Sequence, residues 1–72
     1  MDDLSARTVL TGMLNTAKAD TASLELRLST LNEDYAKDPW EDTAAQIARI
    51  AARVTRRRME AEALEAAVAK FV

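Results

Sequence analysis

Half of the basic residues in this chain fall within one short stretch: Arg49, Arg53, Arg56, Arg57 and Arg58 account for five of the ten. Guanidinium groups recognise phosphate and carboxylate through a fork of N–H donors. On a helix, Arg49, Arg53 and Arg56 share one side, because steps of four and three residues return to the same face. Together with Arg57 they form a candidate face for nucleic acid or for an acidic partner. The same residues also suit internal ion pairing. Arg56 with Glu60, and Arg58 with Glu62, have i,i+4 spacing, in the less favourable basic-first order. Glu25, Glu33 and Asp34 could face the arginines from an antiparallel helix. No aromatic side chain lies among the arginines to stack on a base. The balance therefore favours salt bridging within or between subunits over nucleic-acid binding.

Little other chemistry is available. Histidine and cysteine are both absent, which removes disulfides and every thiolate or imidazole ligand. Carboxylates alone would have to hold a cation, and no stretch resembles a calcium loop. There is no glycine-rich phosphate loop and no nucleophile paired with a base. The expectation is a non-enzymatic protein with no catalytic residue, no cofactor and no metal. A net charge of −2 gives no overall basic field. No apolar run is long enough to cross a bilayer, and the Met-Asp-Asp start lacks the basic region of a signal peptide. Those features lead to the expectation of a cytoplasmic protein with no membrane partner.

The elements that would position the arginines follow from hydrophobic spacing. One glycine and one proline in 72 residues point to long uninterrupted helices, in a single domain near the lower size limit for a self-sufficient core. Leu10, Leu14, Ala17, Thr21, Leu24, Leu28, Leu31 and Tyr35 alternate steps of four and three, the heptad signature of a packed helix. Val9 and Met13 would widen that seam, and Asp2 or Asp3 could cap its start. Gly12 suggests a kink or a close helix approach. In the second half, Trp40, Thr43, Ile47, Ile50, Val54, Arg57, Ala61, Leu64, Val68 and Phe71 repeat the rule. Between the halves, Asp38-Pro39-Trp40-Glu41 reads as a cap, a proline at the first helical position and a capping-box glutamate. The fold expected is all-α: a coiled-coil-like antiparallel hairpin with helix one over about 3–36, a turn at 37–40 and helix two over about 40–71.

Helix two carries more apolar surface than helix one can cover. Ala44, Ala48, Ala51, Ala52, Met59, Ala63, Ala66 and Ala69 occupy much of the side opposite its seam. Leu4, Ala19, Ala22 and Leu26 do so more weakly on helix one. A homo-oligomer is therefore expected, most simply a dimer of hairpins forming a four-helix bundle. Its interface would draw on Ile47, Ala51, Val54, Met59, Leu64, Val68 and Phe71. Arg57, a charge in the seam, should find a carboxylate and fix register, with Thr21 in the same role on helix one. Tyr35 and Trp40 should cap the seam at the turn, while Val68, Phe71 and Val72 close the other end beside Leu4, Val9 and Leu10.

In architecture, though in no motif, such a dimer is similar to the plasmid copy-number regulator Rop. The turn resembles that of the WXG hairpin family, but Trp40-Glu41-Asp42 has an aspartate where that family has glycine. The alanine- and arginine-rich composition fits an accessory reading frame of a phage or plasmid with a GC-rich genome. The role expected is protein–protein interaction, as a small assembly factor, adaptor or modulator with a protein partner. The alternative is a nucleic-acid-binding regulator using the arginine face of a Rop-like dimer.

Overall fold

The structure, a computed structural model, describes the backbone of residues 2–71 and the side chains of residues 5–71. It consists of two helices, α1 (Asp2–Lys37) and α2 (Glu41–Ala69), packed against each other as a hairpin. No strand occurs among the described residues. The expected caps at Asp2 and Asp3, and the expected packing of Leu4 and Val72, lie outside the described side chains. The hairpin measures 55 × 14 × 13 Å, with a radius of gyration of 16.3 Å, against about 11 Å for a compact chain of this length. Among the described residues no helix is long and apolar enough to cross a membrane.

The chain reverses at Asp38-Pro39-Trp40, but the capping differs from the sequence expectation. The Asp38 N–H donates to the Asp34 carbonyl at 2.9 Å, so Asp38 closes α1 and does not open α2. Pro39 has no N–H to continue that ladder and stops the first helix. Trp40 then takes the N-cap position of α2 in an extended conformation, with φ −83° and ψ 141°. Its carbonyl accepts from the Ala44 N–H at 3.0 Å. No side chain caps this end, and Glu41 enters as the first helical residue. Glu41 and Asp42 still lie in the first turn, where acidic groups complement the helix dipole.

The two seams meet as their spacing requires. Leu10, Leu14, Ala17, Thr21, Leu24, Leu28 and Leu31 of α1 are all buried or half-buried, as are Thr43 through Val68 at the seam positions of α2 and Phe71 in the turn that follows it. Only Leu14, Ala17, Ile50 and Val54 are buried among the described residues, and each keeps a trace of exposure. Two helices can shield each other on one side only, so the core is a line and not a layer. Val9 and Met13 do not widen it: they are 60% and 51% exposed.

Gly12 admits no close neighbour. It lies inside α1, and a Cβ built there meets nothing within 4 Å. Gly12→Ala should therefore stabilise the hairpin by about 0.4–1 kcal/mol, by restricting the unfolded chain. A thermal melt followed by circular dichroism should show a rise of a few degrees; a fall would mean that the position is in fact closely packed.

Candidate interaction surfaces

The arginine stretch divides into two sets. Arg57, on the seam of α2, is half-buried and donates to Asp20 of α1 and, at 2.5 Å, to Glu60 one turn further on. Arg58 turns to the other side of the hairpin and donates to Glu25 from Nε at 3.0 Å and Nη2 at 2.7 Å. Lys18 and Glu65 add a looser cross-helix contact at 3.9 Å. The anticipated i,i+4 pairs Arg56–Glu60 and Arg58–Glu62 do not form. Glu60 is taken by Arg57 from the seam, and Arg58 reaches a carboxylate on α1 instead.

Arg57 resolves the problem of a charge in the seam. The side chain is partly covered while the guanidinium reaches two acceptors at the edge, as a long basic side chain can. The Asp20 hydrogen bond, followed by that to Glu60, raises the guanidinium pKa above its ordinary value. A raised pKa stabilises the fold fully below the ordinary guanidinium range and loses that contribution only as pH rises through the shifted value. Arg57 titration accordingly adds no pH dependence near neutrality. Asp20 could have been inferred from antiparallel register, since it and Arg57 lie almost equally far from Pro39. Thr21, expected to share the register role, instead donates to the Ala17 carbonyl of its own helix at 2.8 Å.

The remaining arginines form a different set. Among the described residues, Arg49, Arg53 and Arg56 have no carboxylate partner. Arg27 of α1 joins them: it lines one groove with Gln46, Arg49, Ile50 and Arg53. Arg53 and Arg56 continue into an adjoining groove bordered by Asp20, Ser23 and Glu60. Arg27 escaped the sequence reading because it is isolated in the chain and reaches the cluster only through hairpin register.

The opposite side of α2 presents a second stripe. Ala45, Ala48, Ala52, Thr55, Met59, Glu62, Ala66 and Ala69 are all exposed and alternate steps of three and four, a heptad of their own. Thr55 donates to the Ala51 carbonyl at 3.2 Å, leaving Glu62 as the charged member. Ala44 and Ala51, expected on this face, are half-buried and flank the seam instead. Of the expected oligomer-interface residues, Val54 is buried inside the hairpin, and Ile47, Ala51, Leu64, Val68 and Phe71 are half-buried in or beside its seam. Met59, at 65% exposure, stands free.

At the turn, Trp40 does not cap the seam. It is 63% exposed, and its indole Nε1 donates to Asp38 Oδ2 at 2.5 Å, which holds the ring at the tip. Tyr35, 38% exposed, sits at the margin of the seam. No protein-family model, no curated protein and no solved structure matches the chain.

Proposed function

We propose that this chain is a non-enzymatic protein–protein interaction module that self-associates, a small assembly or adaptor protein built from a helical hairpin. The observation that carries this reading is surplus surface. The hairpin exposes 5448 Å², whereas a compact chain of 7.9 kDa would expose about 4,400 Å². The excess is comparable to the roughly 800 Å² that each partner contributes to a standard protein–protein interface. The second stripe of α2 offers a place for it. A copy seated there would set four helices side by side, with α2 against α2, and the small alanines would let the two backbones approach closely.

Sedimentation equilibrium between about 5 and 500 μM tests the reading. The expected result is a mass approaching twice 7.9 kDa as concentration rises. A monomer at tens of micromolar would remove self-association from the function.

A further inference from the structure

We propose that Arg27, Arg49, Arg53 and Arg56 form a binding surface for the phosphodiester backbone of a nucleic-acid duplex, held without base readout. This surface lies on one hairpin and does not require a second copy.

Three features of the cluster support it. The first is that the carboxylates bordering the groove are already neutralised: Asp20 and Glu60 both accept from Arg57, which lines the same groove. Arg58, the other arginine of the stretch, is held by Glu25 on the opposite side. The guanidinium groups of Arg27, Arg49, Arg53 and Arg56 are exposed and have no ion-pair partner among the described residues.

The second feature is like-charge crowding. Arg49 with Arg53 is an i,i+4 pair and Arg53 with Arg56 an i,i+3 pair, arrangements that disfavour a helix unless an anion neutralises them. Arg27 adds a fourth charge from across the hairpin, lining the same groove as Arg49 and Arg53. In a chain of net charge −2, this is a local concentration of positive charge that bulk composition hides.

The third feature distinguishes the kind of anion. Protein interfaces rely on apolar anchors in dry pockets. Here the apolar lining residues are Ile50 in the Arg27–Arg49–Arg53 groove, which is buried in the hairpin core, and Leu24 in the adjoining groove, which is half-buried in the seam. Binding would be driven by charge, through counterion release, as for a phosphate backbone. Arg49 to Arg56 spans about 10 Å of helix, a length that can follow a backbone, with Gln46 and Ser23 as neutral hydrogen-bonding groups beside it. No aromatic residue lines either groove, so base stacking is not part of the recognition.

Fluorescence anisotropy of the full chain with labelled 20-base-pair DNA and RNA duplexes of mixed sequence, in 50 mM salt, tests the proposal. Micromolar binding to either duplex is expected, whatever the sequence, and which duplex binds identifies the source of the phosphates. With DNA, four phosphate contacts predict a slope of about −3.6 in log Kobs against log salt. Arg49→Gln with Arg53→Gln and Arg56→Gln should weaken binding about tenfold or more, and Arg27→Gln alone should reduce the slope by about 0.9. Relief of crowding means that the triple variant melts no lower than the original chain, which separates lost binding from lost folding. Three results would each overturn the proposal: no binding to either duplex at 100 μM protein, binding undiminished in the triple variant, or labelled polyglutamate bound as tightly as the duplexes. The last would indicate an acidic protein partner instead.

Discussion

Replacement of Ile50 by alanine should lower the stability of the hairpin by about 2–4 kcal/mol. Total stability for a chain of this length is about 4–11 kcal/mol, so one side chain controls a large part of it. The cost arises from the shape of the core. Ile50 is 5% exposed and Val54, one turn away, 4%; two helices cannot close around a deleted side chain as a multilayered core can. At about 4–8 °C per kcal/mol for a domain of this size, the midpoint of a thermal melt should fall by roughly 10–30 °C. Ile47→Ala, at a half-buried position of the same seam, should fall by clearly less. All variants need comparison at one protein concentration, because association would itself raise the apparent midpoint. Equal shifts at Ile47 and Ile50 would mean that the core is not centred where the structure places it.

The difference between these two isoleucines also marks how far the sequence could be read. Heptad spacing gives both of them, and Leu14 and Ala17, as seam residues, because periodicity around a helix depends only on position along the chain. The reversal at Pro39 is equally local: a residue without an N–H ends a hydrogen-bond ladder wherever it stands. The residues that sequence reading misassigned depend on register across the hairpin. Spacing alone gives Glu60 to Arg56, four residues away, whereas it serves Arg57. Spacing along α2 offers Arg58 the carboxylate of Glu62, whereas it reaches Glu25, one of the α1 carboxylates that an antiparallel hairpin is expected to bring opposite the arginines. A long flexible side chain can choose among several carboxylates of similar distance, and the choice depends on which neighbours the other helix brings. Trp40 departs from its seam position for a related reason. Its position on the seam heptad suggested burial, but the last turn of α1 extends through Lys37, and Trp40 stands at the tip where no opposing side chain covers it.

The second large effect concerns the exposed heptad of α2. If a second copy packs on it antiparallel about a two-fold axis, the stripe lies on itself in one register that uses its whole length. Ala45 then meets the second copy's Ala69, Ala48 meets Ala66, Thr55 meets Met59, and Ala52 meets Glu62. Ala48→Lys combined with Ala66→Lys would place lysine against lysine at both ends of such a contact. Like charges brought together across an interface cost several kcal/mol, so the dissociation constant should rise about a hundredfold or more. The hairpin itself should persist, since both positions are exposed and lysine is a good helix former. Ala52→Lys makes the sharper test. It adds a charge to the same stripe, but in this register it lies opposite Glu62, and association should survive or strengthen at low salt. Sedimentation equilibrium of the three proteins, with helicity checked by circular dichroism, distinguishes the possibilities. If both variants become monomeric, the stripe is the interface but the register is wrong. If the double variant still associates, the second copy sits elsewhere on the hairpin. Loss of association in the double variant with retention in Ala52→Lys is the pattern that antiparallel α2 pairing requires, because only opposed positions, and not the charge of the stripe as a whole, separate the two.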